Sequence, residues 1–250
     1  MRIGAQFFTL REHCQTLDGL AQSLKKVADI GYEYVQISGT CAYDADWLKQ
    51  ELDRNGLKCV LTHIAPDRLI NETQKVAADH DIFDCRHVGL GYFGFNEAED
   101  ATKYDTFVKT YKPVAEELKK CGKYFMYHNH AHEFTKIGGK TILRKLSEDF
   151  APDELGFTLD TYWVQAGGGD PAQWIELLSG RVPCIHLKDM VYDKQMAVIG
   201  EGNINFDRVF EKAETAGTEY MIVEQDHCYG EDPFECLKRS YNYLKAQGFK

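Results

Sequence analysis

Along the chain, short apolar runs alternate with longer stretches in which apolar residues return every three or four positions. The short runs read as strands: RIGAQFF (2–8), YEYVQIS (32–38), KCVLTHI (58–64), HVGLGYF (87–93), KYFMYHNH (123–130), LGFTLDTYW (155–163), VPCIHLKD (182–189) and YMIVEQD (220–226). The longer stretches read as amphipathic helices. In LDGLAQSLKKVADIG (17–31), Leu17, Leu20, Leu24, Val27 and Ala28 share one face, and Gly31 follows as a stop. DADWLKQELDRNG (44–56) opens on Asp44 or Asp46 as N-cap and closes on Asn55-Gly56. DPAQWIELLSG (170–180) begins with an acidic cap and Pro171 and ends at Gly180.

Strands separated by helices, with no Asn-Gly turn between two alternating runs, pair in parallel. Eight such units in 250 residues predict a single (β/α)8 TIM barrel, an α/β fold forming one domain over residues 1–250. The alternative is an open doubly wound sheet, but no G-x-G-x-x-G follows the first strand. A hydrophobic content of 44% suffices for the large core a barrel requires.

Charge narrows the partners. A net charge of −10 argues against nucleic acid, whose phosphates demand clustered Lys and Arg. The eight cysteines form no C-x-x-C pair, and several, such as Cys59 and Cys184, fall in apolar runs, so buried free thiols are expected. No apolar run approaches the ~20 residues of a membrane helix. MRIGAQFF lacks the charged and apolar regions of a secretory leader. The expectation is a cytoplasmic protein without membrane contact.

In a parallel barrel, reactive groups gather at the C-terminal strand ends. Those ends carry Gln36, His63, His128, His130 with the nearby Glu133, Asp160, His186 with Lys188, and Glu224 with Gln225 and Asp226. Each has an ordinary reading: His63 as a hydrogen-bonded core residue, Asp160 as a helix cap. Glu224, after Met221, Ile222 and Val223, is the hardest to treat so, because a carboxylate ending so apolar a strand is costly unless paired or coordinated. Asp160, His186 and Glu224, with a fourth ligand from YHNHAHEF (127–134), form an N/O donor set without thiolate. Such a set suits one divalent ion, Mn²⁺ first, with Co²⁺, Mg²⁺ or Zn²⁺ as alternatives. An ion of this kind binds two adjacent sugar oxygens and stabilises the enediolate left by proton loss beside a carbonyl. Lys188 would donate a proton or steady the oxyanion. Among the aromatic residues at the strand ends, Trp163 and Phe7 are expected to face a sugar.

The stretches YHNHAHEF, LDTYWVQAGGGDP (159–171), RVPCIHLKDM (181–190), AVIGEGNINF (197–206), YMIVEQD and RSYNYLK (239–245) resemble the xylose isomerase-like TIM-barrel family, the sugar phosphate isomerases and epimerases. The resemblance spans almost the whole chain and implies a sugar isomerase or epimerase, with a keto-sugar or keto-inositol lyase or dehydratase as the alternative. It implies metal ligation by Asp160, His186 and Glu224, and Glu224 in proton transfer. It places His63 and Lys188 toward a small-molecule sugar or keto-sugar; alternation sends His130 the same way as His128, and Gln36, at the end of the second strand, is a further substrate-side candidate. Glu201 in Gly200-Glu201-Gly202 is either a substrate contact or part of a turn built for its glycines.

One departure stands out. Sugar epimerases of the family end strand five with a glutamate that binds metal and moves protons. In register, that position is His128, with Glu133 five residues later. Glu133 is expected to curl back as fourth ligand and catalytic acid/base, with His128 beside it as acid/base. If the histidine replaces the carboxylate, symmetric two-base epimerisation loses ground to one-base isomerisation or elimination. A family branch that cleaves DNA is disfavoured by the acidic charge and the small ligand set. A homo-oligomer is compatible with the pattern.

Overall fold

Each predicted strand forms, and most end before their apolar runs do. The computed structural model describes residues 1–95 and 101–250. The barrel strands are β1 (Arg2–Gln6), β2 (Tyr34–Ile37), β3 (Lys58–His63), β4 (His87–Leu90), β5 (Tyr124–His128), β6 (Leu155–Asp160), β7 (Cys184–Leu187) and β8 (Tyr220–Val223). All neighbours pair in parallel, and β1 joins β8 through Ile3 opposite Met221, so the sheet is closed rather than open. The fold is a single (β/α)8 barrel.

The connecting helices are α1 (Leu17–Ile30), α2 (Ala45–Asn55), α3 (Pro66–Asn71), α4 (Thr73–Ile82), α5 (Ala101–Lys120), α6 (Ile142–Asp149), α7 (Thr161–Ala166), α8 (Pro171–Leu177), α9 (Phe206–Thr215) and α10 (Pro233–Ala246). Their boundaries follow from local chemistry. Thr16 caps α1 through Gly19 N, and Gly31 ends it with φ 120°. Asp170 caps α8 ahead of Pro171.

Alternation divides the strand residues between two packing layers. Phe125, Tyr127, Phe157, Leu159, Ile185, Leu187, Met221 and Val223 join the continuous core shared with the helices. The opposite phase packs Leu61, Met126 and Cys184 with Tyr124 and Tyr220 as a small separate cluster. The same phase, continued toward the C-terminal ends, carries His128, Asp160, His186 and Glu224. Below it the inner layer is mainly apolar, with the His87 imidazole against Cys184 (3.7 Å); above it the side chains become polar. All eight cysteines are free thiols. Among the described residues, no helix is long and apolar enough to cross a membrane.

Two strand ends depart from the expected pattern for the same reason. The Gln6 side chain accepts from Phe8 N (3.2 Å) and starts a 3-10 turn, Phe7–His13. That turn carries Phe7 into the core, where it is fully buried, so the sugar-facing role expected of it is not supported; Phe8 takes the cavity side instead. Asp160 likewise caps α7 through Trp163 N (2.9 Å), which puts Trp163 on a helix rather than a strand.

Candidate active site

The C-terminal ends of β3, β5, β6, β7 and β8 bring His63, His128, Asp160, His186, Lys188 and Glu224 together. One ligand atom from each of His128, Asp160, His186 and Glu224 lies within 4.8 Å of the others, and all four residues are buried. Each is aimed by a partner behind it. His128 Nδ1 donates to the Gly91 carbonyl (3.0 Å), which leaves Nε2 facing the cluster, 3.3 Å from Asp160 Oδ2. His186 Nε2 lies 2.7 Å from Gln36 Oε1, which leaves Nδ1 facing the cluster, 2.8 Å from Glu224 Oε2 and 3.7 Å from Asp160 Oδ2. His186 Nδ1 and Glu224 Oε2 are close yet not aligned as a hydrogen bond, as two donors converging on a common point would be. Asp160 spends Oδ1 on its helix cap, and its backbone N–H is held by Asn129 Oδ1 (3.0 Å). The cap reading and the site reading of Asp160 are therefore both true, one oxygen each.

Lys188 lies fully buried in the same constellation. Its Nζ is 3.0 Å from Asp160 Oδ2, 2.8 Å from Glu224 Oε2 and 3.0 Å from Asp226 Oδ1, and 5.5 Å from the Trp163 ring. With His186 neutral, as a metal ligand must be, three ionised carboxylates face one ammonium, an excess of two negative charges in a buried site. A divalent cation would balance them, so the donor types, their convergence and the local charge all fit one.

The titration behaviour follows the same arithmetic. Burial alone would raise the Asp160 and Glu224 carboxyls, but Lys188 and the neighbouring imidazoles hold both well below the usual carboxylate range. Burial would also lower His186, yet Glu224 and Asp160 push it up to about 9. Burial pushes Asp226 up, with the charge of Glu224 adding to it. His63 is driven well below the imidazole range by burial and by His128 and His186; burial and His128 drive His130 down to about 2. Both are neutral imidazoles at physiological pH.

Glu133 does not join the cluster. It lies in the 3-10 turn His132–Phe134, fully buried, where its carboxylate accepts from Tyr127 Oη (2.5 Å) and His130 N (2.8 Å), with His132 Nε2 at 3.2 Å. Tyr127 belongs to the outward phase of β5, so the turn draws Glu133 behind the barrel wall. His128, which continues the inward phase, completes the set in place of the expected Glu133.

A cavity of about 500 Å³ opens above the cluster, lined on its floor by His63, His128, His130, Lys188, Glu224 and Asp226. His63 bonds Ser38 Oγ through Nδ1 (3.1 Å), and its Nε2 has no partner. A Cβ on Gly91 would come within 2.7 Å of His63 Nδ1, so the glycine on this rim gives the imidazole its room. Gln36 acts through His186 and not on the cavity. Glu201 is exposed and paired with Arg239 (2.9 Å), so of its two expected roles the turn is the one observed. Trp163 packs on His130 (5.2 Å) and Lys188 rather than lining the cavity. Asp226, named at the end of the eighth strand without a role, lies beside Lys188 on the cavity floor.

The family model described as xylose isomerase-like TIM barrel matches residues 24–247. No curated protein matches the chain by sequence. Among solved structures, the chain is similar to a sugar phosphate isomerase/epimerase from Parabacteroides distasonis ATCC 8503. The TM-score is 0.84 at 23% identity, over 98% of this chain and 93% of the other. It is also similar to an L-ribulose 3-epimerase, with a TM-score of 0.78 at 17% identity, over 98% and 93% of the two chains. A probable 3-DHS dehydratase from Bacillus anthracis gives a TM-score of 0.75 at 14% identity, over 98% and 99%.

Proposed function

The chain belongs to the xylose isomerase-like TIM-barrel family, and on that premise we propose that it is a metal-dependent isomerase or epimerase of a sugar or keto-sugar. The observation that carries the reading is the converging set of His128, Asp160, His186 and Glu224 beneath a cavity of about 500 Å³. The epimerase and dehydratase among its structural neighbours support the same chemistry, proton removal beside a carbonyl.

The four side chains would hold one divalent ion, Mn²⁺ in our assignment. When bound, it supplies Lewis acidity to two adjacent substrate oxygens. Glu224 lines the cavity and takes the proton from the carbon beside the carbonyl. Neutral His63 and His130 donate hydrogen bonds to substrate oxygens without adding charge, as neutral imidazoles do in enolising sites. Lys188 fixes Glu224 and Asp226 and keeps their charges from repelling the forming anion.

One observation favours a second reading. With Glu133 turned away, no second carboxylate faces Glu224 from the β5 side. Proton removal would then be followed by loss of water or an alkoxide from the next carbon. Asp226 lines the cavity, and in its protonated form it would be the acid that protonates the departing oxygen.

The test is incubation in D₂O with Mn²⁺ and a panel of ketoses, keto-glycosides and inososes, followed by proton NMR. Deuterium incorporation beside the carbonyl with the skeleton retained is the expected result. Loss of water or an alcohol selects the lyase reading. Absence of both in the loaded protein, across the panel, removes the proposal.

A further inference from the structure

We infer that the substrate is an uncharged sugar or keto-sugar bearing an apolar substituent, such as an aryl aglycone, and not a sugar phosphate; this rests on the reading above that the cavity receives a sugar. The cavity, at about 500 Å³, falls in the ~300–1,000 Å³ range of sites that enclose drug-sized ligands. A lone pyranose bound at the cluster would occupy only the polar floor.

The wall above that floor is carbon. Phe8, Ile64, Pro66 and Tyr92 line it, contributed by the loops after β1, β3 and β4, with the buried Leu90 at the end of β4. Pro66 is exposed and Tyr92 is 49% exposed, with its ring edge-on to His130 (5.2 Å). A contiguous apolar wall beside a polar floor is a costly surface to leave wet, and a ligand with matching halves covers it.

The same cavity is ill suited to phosphate. Among the described residues, Lys188 is the only Lys or Arg that lines it, and its ammonium already contacts Asp160, Glu224 and Asp226. Residues 96–100, NEAED, contain no basic residue. Arg11 is near, but its guanidinium covers the Phe8 ring (4.6 Å) and donates to the Phe8 carbonyl (3.0 Å). It faces an adjoining cavity that meets the first at Asp226 and also holds Glu12 and Glu231. Helix α3 begins on the rim with Pro66, which has no N–H to offer an anion. A phosphate dianion would meet Glu224 and Asp226 without a free counter-charge.

The experiment is calorimetric titration of the Mn²⁺-loaded protein with phenyl and methyl glycosides of glucose, galactose and xylose, and with glucose and galactose 6-phosphates. At least one phenyl glycoside should bind about tenfold tighter than its methyl counterpart, because the ring is buried on the carbon wall. Neither 6-phosphate should bind tighter than its parent sugar. Tyr92→Ser and Ile64→Ser should each reduce the phenyl-to-methyl ratio toward one. A tighter 6-phosphate, no phenyl advantage, a ratio unmoved by both variants, or no phenyl glycoside bound at millimolar concentration would each overturn the inference. Proton exchange in D₂O without a phenyl preference would sink this inference alone; a phenyl preference without exchange would sink only the isomerase reading.

Discussion

His128 and Glu133 are five residues apart, and only backbone direction decides which of them reaches the cluster. His128 keeps the inward phase of β5 and has its Nδ1 proton held by Gly91, which frees Nε2 for the site. Glu133 lies in a 3-10 turn and bonds the phenol of Tyr127 on the far side of the wall. His128→Ala should therefore weaken Mn²⁺ binding by more than ~100-fold, beyond what loss of an outer partner costs, as read by equilibrium dialysis. Glu133→Gln should keep the metal and lower stability by about 1–3 kcal/mol in urea unfolding, since Tyr127 and His130 N lose a charged acceptor. The opposite pattern would return Glu133 to the site. That both residues belong near a site was legible in the sequence; which faces inward was not, because a short turn after a strand resets the alternation.

At the scale of elements, the GEG segment shows a loop built around one buried carboxylate. Asp189 accepts from the N–H groups of Met190 (2.8 Å), Gly200 (3.0 Å), Gly202 (2.9 Å) and Ile204 (3.2 Å). Gly200 has φ 89°, and a Cβ on Gly202 would collide with the Asp189 carboxylate. The glycines are required by this wrapping, and Glu201 points out to Arg239 as a consequence. Asp189→Ala should cost about 3 kcal/mol in denaturant unfolding while leaving metal binding in place, because several N–H groups lose their acceptor. A loss under about 0.5 kcal/mol would mean that the loop does not depend on this carboxylate. Strand positions were readable from alternation, since that pattern reports burial. Strand ends were not, because β1 and β6 stop where Gln6 and Asp160 happen to cap the next turn.

For the whole molecule, the excess of negative charge at the cluster links stability to pH and to metal. His186, raised to about 9 by its carboxylate neighbours, stabilises the metal-free fold below the ordinary imidazole value. That contribution fades as pH rises through about 9. Asp160 and Glu224, both lowered, stabilise it above the ordinary carboxylate range and lose that effect as pH falls. His63 and His130, held below the ordinary imidazole value, withdraw stability as pH falls below it, so the metal-free protein should melt highest at about pH 6.5–7 and lose stability both toward pH 5 and toward pH 9.5. Mn²⁺ held by the cluster would take the place of the charge on the His186 proton. At 100 times its Kd it should raise Tm by about 5–11 °C, from ~2.7 kcal/mol at ~2–4 °C per kcal/mol for a chain of this size. It should also flatten the alkaline decline. Differential scanning calorimetry across pH, with and without the ion, checks both; a Tm unmoved by Mn²⁺ would count against an ion at this cluster.

The eight alternating units, the closed parallel barrel and the gathering of Asp160, His186 and Glu224 at one rim follow from local pattern, because strand periodicity and element order are properties of consecutive residues. The ligand from β5, the burial of Phe7, the service of Gln36 to His186, the pairing of Glu201 with Arg239 and the place of Asp226 beside Lys188 do not. Each depends on a partner brought near by barrel closure: Gly91 beside His128, Gln36 beside His186, and β7 against β8 for Lys188 and Asp226. Contacts between residues far apart in sequence are set by the closed sheet, and no local pattern encodes them.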